Sequence, residues 1–142
     1  GKVMTDNVTY NELLEMAGRL HVNLKFLGFR LDVPEILKCA DVFVLPSLRE
    51  GLCFAGVEAL ASGIPVVGSN VKGIKDFIVE GETGYLSNPY DADMFAQKIE
   101  LASNCERRKK MEKKCIEKAE EFSASVSHEQ MMTIYKEILG IG

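Results

Sequence analysis

The chain lacks the sequence signals of a membrane protein and of a zinc protein. No apolar run in its 142 residues approaches the ~20 residues that a transmembrane helix needs, and no signal-peptide pattern opens it. Its four cysteines form no C-x-x-C pair and have no histidine at ligand spacing, so no metal site is predicted. Scattered cysteines without a secretion signal are typical of a reducing cytoplasm, which is the predicted location.

Two nucleotide-binding signatures are also missing. No G-x-G-x-x-G follows a predicted strand and no G-K-[ST] occurs, so the sequence predicts neither a dinucleotide-binding turn nor a P-loop. The formal net charge of -4 argues against a nucleic-acid-binding surface. The basic cluster at 107–114 is interleaved with glutamates, which favours a solvated helix face; contact with an anionic membrane is the alternative.

What the sequence does contain is an alternation of apolar strands and amphipathic helices. This alternation predicts an α/β fold, a Rossmann-like parallel sheet with helices on both faces. The length suits one domain, residues 1–142, with an ordinary core. Strands are predicted at 23–29, 41–46, 65–69 and 84–86, and the second of these is apolar enough to be covered on both faces. Helices are predicted at 10–20, 32–35, 54–62, 74–80, 91–102, 106–122 and 127–139.

Three helix starts have recognisable caps. Thr9 and Glu12 have the spacing of a capping box before the first helix. Asp32 and Asp91 are predicted N-caps, because aspartate side chains accept hydrogen bonds from first-turn amides. Gly63 is placed to end the helix at 54–62.

The most informative stretch joins the strand at 41–46 to the helix at 54–62. Glu50 follows the carboxyl end of the strand, where open α/β sheets bind ligands. Glu58 lies about one turn into the helix, near the end that favours anions. The spacing lets both carboxylates point into one crevice, where helix amides would hold a phosphate and the carboxylates would accept hydrogen bonds from sugar hydroxyls. A turn-capping Glu50 and a surface Glu58 are the alternative.

Five ordered landmarks resemble the C-terminal, donor-binding domain of retaining glycosyltransferases of the GT-B fold, family 4. Glu50 and Glu58 match the Glu-x7-Glu motif of that family. The resemblance extends from about Thr9 to Leu139. The other landmarks are Phe26-Leu27-Gly28-Phe29-Arg30, Ala40-Asp41-Val42-Phe43-Val44-Leu45-Pro46-Ser47, Gly63-Ile64-Pro65-Val66-Val67 and Glu82-Thr83-Gly84-Tyr85-Leu86.

The resemblance implies a role for each residue around the two glutamates. Glu50, as the catalytic residue, would hydrogen-bond the hydroxyls of the donor sugar, and Glu58 would bind the ribose. Four consecutive residues would offer backbone N–H groups to sugar and phosphate: Gly51, Leu52, Cys53 and Phe54. Further donor-binding residues are Gly28, Phe29 and Arg30 at the base and Ser47 beside the crevice. A surface arginine and a turn-forming serine are the alternatives for Arg30 and Ser47, and Cys53 replaces a glycine or proline frequent in the family.

The implied activity is transfer of a hexosyl group from a nucleoside-diphosphate sugar to an acceptor hydroxyl in polysaccharide or glycoconjugate synthesis. The resemblance implies no cofactor and no metal, and it implies a glycan or lipid-linked acceptor bound through another domain. Peripheral association of the full-length enzyme with the inner face of the membrane is compatible with it. The resembled domain has six strands, and a Gly-Arg with a following Lys-Gly that neutralises the diphosphate. Because these are not found in full, we expect a fragment truncated on its N-terminal side that does not transfer sugar by itself.

Other classes remain open at this point. A GT-B sugar-nucleotide epimerase shares the fold, whereas a phosphorylase needs a lysine-held pyridoxal phosphate for which the chain shows no convincing site. A non-catalytic Rossmann-like binding module is the third possibility, although a receiver-type switch needs an acidic pocket at its first strand. Titration with UDP-, GDP- and ADP-sugars separates the enzyme from the non-catalytic module.

Overall fold

The computed structural model describes residues 10–139, without the side chains of residues 127, 130, 137 and 139. The chain divides into two compact units, Gly1–Leu31 and Asp32–Gly142. One domain for the whole chain stays a prediction. The capping box predicted at Thr9 lies outside the described residues.

The described part of the first unit, residues 10–31, contains one helix, α1 (Tyr10–Arg19), as predicted from residue 10 onward. The predicted strand at 23–29 is wrong, because the described residues contain no strand there. A strand requires a neighbour that accepts its ladder hydrogen bonds, and none is described for this segment. The Leu24 amide instead donates to Val22 O at 3.1 Å. The ring of Phe26 lies against that of Tyr10, with 4.4 Å between the centroids.

The second unit contains a three-stranded parallel sheet. Its strands are β1 (Phe43–Leu45), β2 (Val66–Ser69) and β3 (Gly84–Ser87), in the order β1-β2-β3. The register pairs Leu45 with Gly68 and Ser69 with Ser87. Three of the four predicted strands are therefore confirmed, and their carboxyl ends lie at one edge of the sheet.

Up to residue 139, where the description ends, five helices accompany this sheet: α2 (Val33–Leu37), α3 (Phe54–Ala61), α4 (Ala92–Ser103), α5 (Cys105–Glu120) and α6 (Ala124–Leu139). All five were predicted, with boundaries that differ by a few residues. Asp91 caps α4 as predicted, since its Oδ1 accepts from Met94 N at 2.8 Å. Asp32 stands at the N-cap of α2, but its side chain makes no capping hydrogen bond.

Helices lie on both faces of the sheet, as predicted. Alternate residues of a strand face opposite sides, and Val44 lines a small cavity with Phe95 and Ile99 of α4. The residue after Val44 is Leu45, which pairs with Gly68 of β2. Gly68 lies against Ile74 on the opposite face of the sheet, where α3 packs on β1 and β2. The cover over β1 is incomplete, since Val44 remains 39% exposed, contrary to the expectation for this strand.

The predicted helix at 74–80 is also wrong, and a series of turns over residues 72–77 takes its place. Hydrogen bonds from Thr83 explain the difference. The Thr83 hydroxyl accepts from Val79 N at 2.8 Å and donates to Phe77 O at 3.3 Å. These are backbone groups that a continuing helix would pair with its own residues. The apolar residues nevertheless reach the core, where Ile74 and Phe77 are fully buried.

The core lies between the sheet and helices α3, α4 and α5. Its largest fully buried side chains include Phe77, Leu60, Ile74, Val66, Val67 and Cys115. Cys115 of α5 directs its thiol at Thr83 O, 3.7 Å away. Burial, with a smaller effect of the Glu112 charge, raises the pKa of the Cys115 thiol from 9.0 to about 12. The thiol therefore stays protonated and serves as a small apolar side chain.

This burial predicts a loss of stability in alkali. Because the pKa of Cys115 is higher in the folded state, the protonated thiol stabilises the fold fully below about pH 9. That contribution is lost as pH rises toward the folded-state pKa of about 12, at up to about 1.4 kcal/mol per pH unit. We expect urea unfolding above about pH 9 to show a steeper fall for wild type than for Cys115→Ala, which lacks the group. Parallel pH dependences of the two proteins would contradict this.

Candidate functional site

The loop from β1 to α3, residues 46–53, lies at the carboxyl edge of the sheet. Its main chain contacts the turn of residues 71–77, which follows β2. A Cβ atom added to Gly73 would lie 1.7 Å from Gly51 O and 2.9 Å from Glu50 O. Glu50 and Gly51 therefore lie over the ends of both β1 and β2, which is the position predicted for a ligand site.

Glu50 is partly buried in this loop, and one side chain holds it. Ser47 Oγ donates a hydrogen bond to Glu50 Oε1 at 2.7 Å. Within residues 10–139, no other hydrogen-bond partner of this carboxylate is described. Its second oxygen, Oε2, is thus available to accept from a ligand hydroxyl.

Glu58 lies in the second turn of α3, and its side chain is exposed. Its main-chain oxygen accepts from Ser62 Oγ at 2.9 Å, which leaves the carboxylate outside that contact. The sequence placed this residue about one turn into the helix, and the structure confirms that position. That Glu50 and Glu58 share one ligand stays a prediction.

The N-terminus of α3 offers hydrogen-bond donors beside the loop. Cys53 is the N-cap in extended conformation, and its side chain makes no capping bond. Gly56 N and Val57 N donate to Cys53 O at 3.1 and 3.3 Å. Helix geometry leaves the amides of Cys53, Phe54 and Ala55 without intrahelical partners. Such amides, with the helix dipole, favour an anion such as a phosphate.

The side chains of the three residues before and at the helix start point in different directions. Cys53 is partly buried and packs against the core, so its thiol supports the loop instead of facing solvent. Leu52 and Phe54 are exposed, and they line a cavity together with three glutamates near the end of α5: Glu117, Glu120 and Glu121. Because these carboxylates repel anions, a phosphate is favoured at the helix amides and not in this cavity.

Two glycines in contact have different reasons for lacking a side chain. Gly73 needs its conformation and its small size, because its φ is +89° and a Cβ would overlap the main chain of Gly51. Gly51 has no described atom within 4 Å of the place where a Cβ would stand. Packing therefore does not require glycine at position 51. This open space leaves room for a ligand to approach the main chain of Gly51 closely.

Three further donor-binding residues were predicted before position 32. Gly28, Phe29 and Arg30 belong to the first unit. Gly28 has a φ of +64°, which suits a turn, and Phe29 is 91% exposed. Their role at a nucleotide base stays a prediction.

Gly73 is the site element that the sequence reasoning missed. The available signal was a glycine four residues after the end of an apolar strand, Val66–Ser69. The sequence analysis gave Gly73 no role and predicted a helix from residue 74, so the contact of Gly73 with the loop was not foreseen.

The described residues show neither a metal-binding cluster nor a membrane-spanning helix. Among residues 10–139, no group of three or more His, Cys, Asp or Glu residues is placed to hold a metal ion. In that same part of the chain, no helix is long and apolar enough to cross a membrane.

Fold and site together define a Rossmann-like α/β domain whose sheet edge can accept an anion and hydroxyl groups. The family described as "Glycosyl transferases group 1" matches residues 7–122, and the chain belongs to this family. It is 36% identical over 115 residues to the UDP-Gal:alpha-D-GlcNAc-diphosphoundecaprenol alpha-1,3-galactosyltransferase of Escherichia coli, covering 81% of this chain and 29% of that one. The chain spans about a third of the length of the curated relatives it matches.

Solved structures show the same fold. A glycosyltransferase from Rickettsia africae superposes with a TM-score of 0.81 at 23% identity, covering 98% of this chain and 38% of that one. A mutant of S. aureus TarM in complex with fondaparinux, alpha-GlcNAc-glycerol and UDP superposes with a TM-score of 0.77 at 25% identity. That match covers 89% of this chain and 27% of TarM. These likenesses agree with a C-terminal GT-B domain.

The two glycines give a test of the loop geometry. Gly73→Ala adds a Cβ into the Gly51 main chain at a left-handed φ, so we expect a loss of roughly 2 kcal/mol or more in the free energy of unfolding. Gly51→Ala meets no neighbour and should stay within about 0.5 kcal/mol of wild type. Urea unfolding of the two variants measures both. Equal stabilities would show that the turn does not contact the loop as described.

Proposed function

We propose that this chain is the nucleotide-sugar-binding part of a retaining glycosyltransferase. The full-length enzyme moves a hexosyl group from a nucleoside-diphosphate sugar to an acceptor hydroxyl. The observation that carries the proposal is the Glu50–Gly51 loop, which lies over the ends of β1 and β2 beside the N-terminus of α3. Membership of the glycosyltransferase family supports it.

Each part of the donor has a matching group in this arrangement. The sugar hydroxyls donate to the free Oε2 of Glu50, and the diphosphate accepts from the amides at the start of α3. The ribose hydroxyls donate to the exposed carboxylate of Glu58, one turn further along the helix. Gly51, which has room for a ligand where a side chain would be, lets the sugar approach the main chain.

Catalysis in this proposal comes from positioning and from stabilising charge. The bond between the anomeric carbon and the diphosphate oxygen breaks, and the acceptor oxygen bonds to that carbon on the same face. The departing diphosphate oxygen takes the proton of the acceptor, so this chain supplies no general base. Donors aimed at the leaving phosphate stabilise the charge that develops there. Glu50 holds the transferring sugar in place and is the residue we assign to catalysis.

The comparisons favour a uridine nucleotide as the carrier. The relative from Escherichia coli is named for transfer from UDP-Gal, and the TarM mutant was solved in complex with UDP. We therefore propose a UDP-sugar donor.

The acceptor, by the same reasoning, is a glycan or a lipid-linked sugar bound through another part of the enzyme. The relative from Escherichia coli is named for a diphosphoundecaprenol-linked acceptor. We propose a cytoplasmic enzyme that reaches such acceptors at the inner face of the membrane. No cofactor and no metal are part of the proposed reaction.

Substitution of the two glutamates in the full-length enzyme tests the proposal. Glu58→Ala should weaken donor binding with little change in kcat, because the ribose contact is the same before and during reaction. Glu50→Ala should lower kcat more, because the contact with the transferring sugar strengthens at the transition state. A hydrogen bond to a charged group represents about 1.5–3 kcal/mol, or roughly 10- to 150-fold. Steady-state kinetics with varied donor gives both parameters.

A matched control for these variants is Glu100→Ala. Glu100 is an exposed glutamate of α4, away from the β1–α3 loop in sequence, so its loss should change neither constant. Wild-type kinetics in both the Glu50 and the Glu58 variant would remove the proposed site.

A further inference from the structure

Glu50 is supported from two sides, by the side chain of Ser47 and by the turn that contains Gly73. Its carboxylate accepts the 2.7 Å hydrogen bond from Ser47 Oγ, three residues earlier in the same loop. Its main chain lies against Gly73 of the following turn, close enough that no Cβ fits between them. The first contact fixes the carboxylate, and the second fixes the backbone that carries it.

The geometry of the serine separates it from the residues that would contact the donor directly. A hydroxyl has a single proton, and Ser47 gives that proton to Glu50 Oε1. It therefore has no proton to donate to a sugar or a phosphate. The bond holds one carboxylate oxygen in place, and the carboxylate keeps further lone pairs, including those of Oε2, to accept from incoming hydroxyls. This bond is partly buried, where water competes with it less than on an open surface.

We propose that Ser47 is a positioning residue that acts through Glu50, and that the Gly73 turn supports the main chain of the same residue. The inference rests on the proposed function, and it changes the role of Ser47 from donor binding to orientation of Glu50. It predicts that Ser47 affects recognition of the donor sugar and not recognition of the nucleotide. The nucleotide would contact Glu58 and the α3 amides, which neither Ser47 nor Gly73 touches by hydrogen bond in the described structure.

The test uses the ratio of two dissociation constants, Kd for UDP divided by Kd for UDP-galactose. In wild type the ratio reports the contribution of the sugar, including its bond to Glu50. Partial unfolding lowers the concentration of competent protein for both ligands equally, so it leaves the ratio unchanged. A positioning defect at Glu50 lowers the ratio alone. Isothermal titration of the full-length enzyme with each ligand provides the measurement.

We expect Ser47→Ala to lower the ratio by about three- to tenfold, which is the factor that a single ordinary hydrogen bond represents. Ser47→Thr keeps the hydroxyl and should restore it. The matched control is Ser62→Ala, which also removes a serine hydrogen bond, at 2.9 Å, but to the main chain of Glu58; its ratio should equal that of wild type. Gly73→Ala should lower the ratio in the fraction that folds.

The outcomes separate this inference from the function on which it rests. A wild-type ratio in Ser47→Ala, with UDP still bound, would overturn the positioning role and leave the donor site intact. An equal loss of affinity for UDP and for UDP-galactose in Ser47→Ala would also overturn the positioning role, because Ser47 would then support the whole site. Wild-type protein that binds neither ligand, nor GDP- or ADP-sugars, would overturn the proposed function and this inference with it.

Discussion

Parallel pairing of β1, β2 and β3 is the constraint on which the site depends. In a parallel sheet every strand ends at the same edge, so the segments that leave the strands meet there. The register that aligns Leu45 with Gly68 brings the loop after β1 beside the turn after β2. Each segment alone is a short polar connection. Together they form a surface in which Glu50, Gly51 and the start of α3 are neighbours.

Small residues allow the loop after β1 and the turn after β2 to come into contact. A Cβ on Gly68 would lie 2.5 Å from Ile74, and one on Gly56 would lie 2.4 Å from the ring of Phe77. Because these two glycines, one on β2 and one on α3, have no side chain, the 71–77 turn packs closely against the sheet and buries its apolar side chains. Gly73 then contacts the Glu50–Gly51 main chain without a side chain between them. The position of the Glu50 main chain therefore depends on packing several residues away.

The sequence predicted those elements whose signals are local. Asp91 as an N-cap identified α4, and the apolar residues that follow the helix-ending Gly63 identified β2. It failed where a distant partner decides the outcome. The apolar residues around Phe26 have the composition of a strand, but no described strand pairs with them. The 74–80 segment has the composition of a helix, but the Thr83 hydroxyl forms hydrogen bonds with two of its backbone groups. For the same reason the candidate glutamates could be named, whereas the contacts that hold Glu50 could not.

Binding of a nucleotide sugar at the sheet edge, between Glu50 and the start of α3, underlies every role proposed for these residues. An ¹H–¹⁵N NMR titration of the chain with UDP-galactose examines this binding residue by residue, because each backbone amide gives its own signal. We expect the largest shifts at the amides from Gly51 to Ala55 and at Glu58, with smaller shifts at Gly73. Shifts confined to another surface, such as the basic part of α5 around Lys109 and Lys110, would contradict the proposed site.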